Sequence, residues 1–261
     1  MQASQTWNGE QIGEQNAYFA FRNGKLVCPL DDDKPAPVLA HFVHQQLRSL
    51  VLNTGFACVG AQAALNQGTY RFGFYPEIGS PEATTALVAG LRLFVGERPA
   101  FGTTFTTFIA SFTGPASENE EHFESLLWQQ LQQLHDRDTT PWDTTVSSDP
   151  HASHFSFSFA GLAFFVVGLH GGSARWARRF AWPTLVFNAH AQFEHLRKKG
   201  QFDRFQRVIR TRDRALQGNI NPNLANFGEL TDARQYSGRA VGEGWHCPLH
   251  IHPVQQKETL A

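Results

Sequence analysis

The sequence predicts a single α+β domain in which a mixed or antiparallel sheet packs against several helices. Segments with the two-residue alternation of strands are interspersed with segments of helical periodicity. No linker, repeat or low-complexity tract divides residues 38–250. A length of 261 residues allows one large domain, and the charged fraction of 17% is below the average of about 25%, which is typical of a compact chain.

The N-terminal half is predicted to contain an arm, two helices and two strands. Residues 1–37 are rich in Gln and Asn and end in an acidic run with two prolines, so we expect a peripheral arm. Apolar residues recur at helical spacing over residues 38–52, and a second helix is expected at 81–93. Alternating aromatic residues predict a strand at 69–75, and a run of β-branched residues predicts another at 103–112.

The C-terminal half continues this pattern. Ser117 and Glu120 have the spacing of a capping box and predict the start of a helix that ends near His135. Two strands are predicted at 155–159 and 163–169, and the second is continuously apolar, which is typical of a central strand covered on both faces. The remaining elements are a strand at 184–187, a helix at 193–214 interrupted at Gly200, and a tail at 253–261, so that the domain proper spans 38–252.

Composition and missing motifs argue against several classes of function. With 22 Lys+Arg and 23 Asp+Glu residues, the chain has no overall basic field, so nucleic acid is not expected as a partner. No apolar run has the length of a membrane span and the N-terminus does not resemble a signal peptide, so we expect a soluble, cytoplasmic protein. Glycine-rich dinucleotide and phosphate loops and the Gly-x-Ser-x-Gly elbow are absent from the sequence.

The loop after the predicted central strand carries the most informative group of polar residues. His170 follows the strand directly, and a Gly-Gly turn and three arginines come next. Imidazole is a common iron ligand, and guanidinium groups pair with carboxylates. Such a loop suits a haem with propionates or an amino-acid substrate, and the alternative is a solvated basic loop with an ordinary histidine. The three arginines are Arg175, Arg178 and Arg179.

Two other residues are candidates for an iron ligand. Cys58 precedes a short helical run, and helix N-termini lower the pKa of thiols, although free cysteines are more often small buried apolar side chains. His135 lies at the end of a predicted helix, where polar side chains are common because they bind the last carbonyls. The only methionine is Met1, which excludes a thioether ligand inside the fold.

Several ordered segments together resemble a known family. They are Phe-Ala-Cys-Val-Gly-Ala at 56–61, Leu-Leu-Trp at 126–128, Leu-His-x-x-Asp at 134–138, Phe-Ser-Phe-Ser-Phe at 155–159, Phe-Phe-Val-Val-Gly-Leu-His at 164–170, Arg-x-x-Arg-Arg at 175–179, Phe-Asn at 187–188, Arg-Gln-Tyr-Ser-Gly-Arg at 234–239 and Cys-Pro at 247–248. The chain resembles the YqcI/YcgG family, and within it the guanitoxin-type haem-dependent N-hydroxylases. It departs from the family pattern at Ala57 and Gly171, where proline is expected.

The resemblance implies a haem enzyme that uses O2 and external electrons to hydroxylate the guanidine or amine nitrogen of an amino-acid-derived small molecule. It favours His170 as the axial iron ligand, with His135 and Cys58 as alternatives. Asp138, in the matched Leu-His-x-x-Asp segment, is the candidate carboxylate partner for a guanidinium substrate. The cations expected near the propionates or the substrate carboxylate are Arg175, Arg178 and Arg179.

Two alternative functions and one question of assembly remain open at this level. A haem carrier or sensor without turnover shares every motif of the enzyme. A non-haem metal-binding protein would use the densest metal-like cluster, although that cluster lacks the upstream Cys pair of a structural zinc site. The sequence does not determine the oligomeric state, for which a homodimer is one option. The cluster consists of His246, Cys247, His250 and His252.

Overall fold

The strands form a small N-terminal sheet and a larger central sheet. The computed structural model describes residues 17–102, 105–223 and 229–252. In chain order the strands are β1 (Ala20–Arg22), β2 (Lys25–Cys28), β3 (Lys34–Pro35), β4 (Tyr70–Tyr75), β5 (Thr107–Phe112), β6 (Phe157–Phe159), β7 (Leu162–Leu169) and β8 (Thr184–Ala189). The first three make the small sheet, and the central sheet has the order β4-β5-β8-β7-β6. Strands β4 and β5 are parallel and the other neighbours are antiparallel, so the central sheet is mixed.

Helices cover both faces of the central sheet. In chain order they are α1 (Val38–Val51), α2 (Val59–Gln67), α3 (Pro81–Glu97), α4 (Glu120–Arg137), α5 (Ala191–Lys198) and α6 (Phe202–Gln217). Helices α3 and α4 pack on one face, and α1, α2, α5 and α6 lie on the other. The predicted α+β class is confirmed. In the part of the chain that the structure describes, no helix is long and apolar enough to cross a membrane.

Most predicted elements are present, and their ends differ for local reasons. The cap of α4 is Asn119 rather than Ser117, because the Asn119 side chain accepts a hydrogen bond from the His122 N–H at 2.8 Å. The predicted helix at 193–214 is two helices, separated around Gly200, whose φ of +65° favours glycine. The first two residues of the strand predicted at 103–112 lie outside the described residues.

The described part of the N-terminal arm packs along one edge of the central sheet. Phe19 pairs with Phe72 of β4 through two backbone hydrogen bonds, and the Tyr18 hydroxyl donates to Glu97 at 2.5 Å. Both aromatic side chains are buried. This segment therefore lies along the outer edge of β4 and adds two aromatic side chains to the core. The first sixteen residues of the predicted arm and the predicted tail at 253–261 lie outside the described residues.

Strand β7 separates two environments. Phe164 and Val166 point into the core beneath α3 and α4, whereas Phe165, Val167 and Leu169 point to the other face and line a cavity. The central strand is β8, and β7 lies second from the edge. The predicted buried strand with two covered faces is confirmed, although β8 rather than β7 holds the middle position of the sheet. The cavity-facing side of β7 is apolar because it lines an apolar cavity.

Gly168 provides a test of the packing between β7 and α4. A Cβ at this position would lie 2.5 Å from Phe123 Cε1 and 2.9 Å from Leu127 Cδ1. We expect Gly168→Ala to lower the free energy of unfolding by about 1–3 kcal/mol because the core is overpacked. Urea denaturation measures the change. Gly96→Ala is the control, since nothing lies within 4 Å of its added methyl group, and no loss of stability is expected; equal losses in both variants would contradict the packing argument.

Candidate functional site

A cavity of about 290 Å³ lies between the central sheet and the helices on its second face. This volume is near the lower end of the range of about 300–1,000 Å³ for small-molecule sites. The sheet contributes alternate apolar side chains, which are Ile109, Val167 and Val186. Helix α6 contributes the opposite wall with Phe202, Phe205 and Ile209. The cavity is therefore largely apolar, with a small number of polar groups at defined positions.

Cys58 lies on the cavity wall at the N-terminus of α2. It is the N-cap residue, and its sulfur accepts a hydrogen bond from the Ala61 N–H at 3.4 Å. Burial raises the pKa of the Cys58 thiol, while backbone N–H groups and the charges of Arg178 and Arg212 act in the opposite direction. The sulfur thus faces an apolar space from a helix N-terminus with two cations nearby. This setting suits a thiolate that binds a metal ion, because such an ion displaces the thiol proton.

The loop before Cys58 is held by α6. The Arg212 guanidinium donates to the Phe56 carbonyl at 3.3 Å and to the Gln62 side chain at 2.7 Å. It therefore links the residues on either side of Cys58 to the opposite wall of the cavity. Ala57, which stands where the related sequences are expected to have proline, is buried within this supported loop. Contacts from Arg212 restrain the loop without the stiffness of a proline ring.

Two of the three predicted arginines line the cavity. Arg175 forms an ion pair with Asp213 of α6 at 2.5 Å, and both side chains are 9% exposed. Arg178 donates to the backbone carbonyls of Gly168, Gln235 and Tyr236. Burial lowers the pKa of Arg178 to about 10, so it remains a cation at neutral pH. These two groups bring positive charge to the cavity while tying neighbouring segments together.

Arg179 does not line the cavity. Its guanidinium donates to the Ser173 carbonyl at 2.9 Å and lies 4.1 Å from the centre of the Trp176 ring. The group of three arginines in the sequence is therefore divided in the structure. Arg175 and Arg178 belong to the cavity wall, and Arg179 stabilises the loop that connects β7 to β8.

His170 lies on the face of the sheet opposite the cavity. Its ring stacks on Phe123 of α4, with the ring centres 4.2 Å apart, and its residue is 1% exposed. Burial, with a smaller effect of Arg178, lowers the pKa of His170 to about 4, so the imidazole is neutral at physiological pH. The structure therefore places this predicted ligand away from Cys58 and the apolar cavity, in the core beneath α4.

His135 and Asp138 also lie outside the cavity, at the end of α4. The Nε2 atom of His135 accepts a hydrogen bond from the His252 N–H at 3.0 Å. The Asp138 carboxylate accepts bonds from the Thr140 N–H at 3.0 Å and the Ala160 N–H at 2.6 Å. These contacts close the end of α4 and a neighbouring turn. Neither residue lies among the groups that line the cavity.

The C-terminal His/Cys cluster does not converge. The His246 ring lies edge-to-face against His151, and the Cys247 thiol is buried, which raises its pKa to about 12. Across residues 17–102, 105–223 and 229–252, no group of three or more His, Cys, Asp or Glu side chains could hold a metal ion. The described geometry therefore gives no support to a metal site built from this segment.

The sequence did not reveal several polar residues of the cavity wall. Asp232 is one of them, and its carboxylate accepts a hydrogen bond from the Ser156 hydroxyl at 3.0 Å. Burial raises the pKa of Asp232 to about 6, while Ser156, Arg197 and His154 act in the opposite direction. Asp232 follows the cap residue Thr231 and shortly precedes the Arg-Gln-Tyr-Ser-Gly-Arg segment. This closeness to a family-like segment was the one feature of the sequence that could have indicated Asp232 as a site residue. Other polar residues of the cavity wall are Asn188, His190, Gln192, Arg197 and Arg210.

The fold and the cavity define an α+β protein with a largely apolar cavity whose wall carries a thiol, two carboxylates and several guanidinium groups. The chain belongs to the YqcI/YcgG family, whose profile matches residues 47–250. The family resemblance in the sequence is thereby confirmed.

Two curated proteins illustrate the relationship. The "Putative N(omega)-hydroxy-L-arginine synthase DcsA" of Streptomyces lavendulae is 28% identical over 127 residues, which cover 47% of this chain and 48% of that protein. The "Uncharacterized protein YqcI" of Bacillus subtilis (strain 168) is 26% identical over 183 residues, 67% of this chain and 71% of that protein. The chain therefore spans about half the length of the first relative. No solved structure matches the chain.

Proposed function

We propose that this protein is a haem-dependent N-oxygenase that hydroxylates the guanidine or amine nitrogen of an amino-acid-derived small molecule. The observation that carries the proposal is the position of Cys58, a helix-capping thiol that faces an apolar cavity with a carboxylate and cations on its wall. The name of the Streptomyces lavendulae relative supports the same reaction class. The net reaction adds one oxygen atom of O2 to the nitrogen, and two electrons and two protons convert the other oxygen atom to water.

The groups on the cavity wall fit a haem. Cys58 would provide the thiolate that holds the iron, because it is the one candidate ligand named from the sequence that lines the cavity. Arg178 and Arg210 would provide positive charge for the propionates, and the apolar sheet residues Val167 and Val186 would contact the macrocycle. When bound, haem supplies the redox-active iron at which O2 is reduced, and a thiolate ligand favours cleavage of the O–O bond.

The protein's own side chains have separate tasks in this reaction. The Ala61 N–H and the charge of Arg178 stabilise negative charge on the Cys58 sulfur. The apolar walls formed by Phe205 and Ile209 exclude water from the reacting centre. The carboxylate of Asp232 attracts the cationic group of the substrate and orients its nitrogen within the cavity.

Asp232→Asn tests the assignment of the substrate partner. We expect the dissociation constant of a guanidinium or ammonium substrate to increase roughly 10- to 100-fold, because a charge-assisted hydrogen bond of about 1.5–3 kcal/mol is lost. Because the pKa of Asp232 is raised to about 6, binding in the unmodified protein should tighten as the pH rises through this value and the carboxylate ionises. Calorimetric titration at several pH values measures both effects.

The variant should lose this pH dependence, and a neutral urea analogue of the substrate should bind both proteins equally. Asp138→Asn is measured in parallel, because the sequence indicates Asp138 as the carboxylate whereas the cavity contains Asp232. A larger effect of the Asp138 variant on substrate affinity would contradict the assignment to Asp232.

The reaction class is tested by haem titration followed by turnover. Haem is added to the purified protein, binding is followed by the Soret band, and amine and guanidine compounds are incubated with reductant and O2. A product heavier by one oxygen atom, formed only with haem, is the expected result. Failure to bind haem would contradict the whole proposal. Tight haem binding without any product from a panel of arginine-like and amine substrates would favour a carrier or sensor instead.

A further inference from the structure

The α5–α6 segment, residues 191–217, is strongly basic although the chain is not. It contains eight Lys and Arg and three Asp and Glu residues, a net charge of +5, whereas the whole chain has a net charge of -1. The rest of the chain therefore carries a net charge of -6. Positive charge is therefore concentrated in this segment, and the rest of the chain is negative on balance. Such an asymmetry steers partners of opposite charge to one face.

The outer side of α6 concentrates this charge in a stripe formed by Arg204, Arg207 and Arg214. All three side chains are exposed, and none forms an ion pair within the described residues. Their spacing of three and seven residues places them on one side of the helix. The other basic residues of α6 are engaged inside the fold, as the contacts of Arg212 show.

The basic stripe is not explained by the requirements of an isolated helix. Arg204 lies in the first turn of α6, where the helix dipole disfavours cations, and Arg207 is three residues further on the same side. Only Arg214, in the last turn, is at a position where the dipole favours positive charge. One exposed arginine of the stripe, Arg204, therefore stands where the helix dipole disfavours a cation.

The stripe lies directly behind the cavity wall. Phe205 and Ile209, on the opposite side of α6, line the cavity, so the stripe and the cavity are separated by the thickness of one helix, about 10 Å. An electron carrier bound to the stripe would thus lie about one helix diameter from the cavity.

We propose that the basic stripe of α6 docks an acidic one-electron carrier protein that supplies the reaction. This inference rests on the proposed function, because N-hydroxylation consumes two electrons that the structure does not hold. Two reduced carriers are each oxidised by one electron, and with two protons these electrons reduce one oxygen atom of O2 to water while the other oxygen atom is added to nitrogen. Charge complementarity selects the partner, and the single exposed face that carries the stripe selects the orientation.

Charge reversal tests the docking surface. The probe is a plant-type [2Fe–2S] ferredoxin, which is acidic, and the variant is Arg204→Glu/Arg207→Glu. We expect the dissociation constant of the complex, measured by calorimetry at low salt, to increase at least about 10-fold, and the unmodified protein to lose affinity steeply as salt increases. The control Lys25→Glu/Arg92→Glu changes the net charge equally at exposed sites away from α6 and should bind like the unmodified protein.

The rate of product formation is a second, independent test of the docking surface. With ferredoxin and its reductase as electron source, the Arg204/Arg207 variant should form product at least about 10-fold more slowly. With ascorbate and a small-molecule redox mediator as electron source, it should match the unmodified protein. Equal ferredoxin binding by both proteins would overturn the docking surface, whatever the turnover. Tight binding of duplex DNA to the stripe at physiological salt, without ferredoxin binding, would overturn it as well. Absence of turnover by the unmodified protein with the chemical reductant would instead contradict the proposed function, and the binding measurements would still decide whether the docking surface exists.

Discussion

Cys58→Ser is expected to abolish N-hydroxylation while leaving the fold intact. Serine is a good N-cap, so its hydroxyl replaces the sulfur as acceptor for the Ala61 N–H. A hydroxyl does not replace a thiolate as a soft ligand for iron. Outer-shell changes at metal sites cost about 10- to 100-fold, so loss of the ligand itself should lower product formation by more than about 100-fold.

The absorption spectrum of the reduced, CO-treated protein is the most direct test of Cys58 as the proposed iron ligand. A thiolate-ligated haem and an imidazole-ligated haem absorb at clearly different wavelengths, and Cys58→Ser should lose the thiolate signature. Cys28→Ser is the matched control, because Cys28 is buried in the small N-terminal sheet and does not line the cavity. It should keep both the spectrum and the activity.

His170→Ala distinguishes His170, the iron ligand that the sequence favours, from Cys58, the iron ligand proposed from the cavity. His170 is packed beneath α4, so its loss should lower stability and leave the haem spectrum unchanged. If Cys58→Ser kept the spectrum of the unmodified protein and His170→Ala changed it, His170 rather than Cys58 would be the iron ligand.

Asp213→Ala is expected to be the most destabilising substitution at the cavity. It leaves the Arg175 guanidinium buried without its anion, and the Asn221 N–H loses an acceptor at 3.0 Å. Breaking a buried ion pair in this way costs about 3–5 kcal/mol of unfolding free energy. Urea denaturation, with the slope compared between variants, measures the loss. The large effect arises because the Arg175 guanidinium remains buried without a counter-charge, and it does not measure the strength of the Arg175–Asp213 ion pair.

A double variant separates these two explanations. Arg175→Met/Asp213→Leu removes both charges, so it should recover most of the stability that Asp213→Ala loses. Arg22→Ala is the surface control, since the Arg22–Asp33 pair is nearly half exposed and its loss should cost less than about 1 kcal/mol. Equal losses in Arg22→Ala and Asp213→Ala would contradict the importance of burial.

The sequence predicted the fold well because its signals are local. Helical spacing over residues 38–52 and the alternation at 69–75 reflect contacts that each element makes with the core, and both elements are present as α1 and β4. The three short strands of the N-terminal sheet carried no such pattern, since strands of two to four residues are too brief for a period to appear.

The candidate site was harder to predict because it depends on which side of the sheet each residue faces. His170 and Cys58 are equally plausible iron ligands as residue types, but the alternation of β7 directs His170 toward α4. Asp232 enters the cavity from a segment far along the chain and has no motif of its own. Sequence order does not report which distant segments meet across a cavity.

Substitutions on the two faces of β7 should have different consequences, for folding on one face and for ligand binding on the other. Phe164 and Val166 are fully buried beneath α4, and changes there affect folding first. Phe165, Val167 and Leu169 contact the cavity, so changes there alter the shape offered to a ligand with less effect on the opposite core. Relatives can therefore diverge in specificity at alternate positions while keeping a common scaffold, and a library confined to these three positions offers a direct route to new substrate preferences.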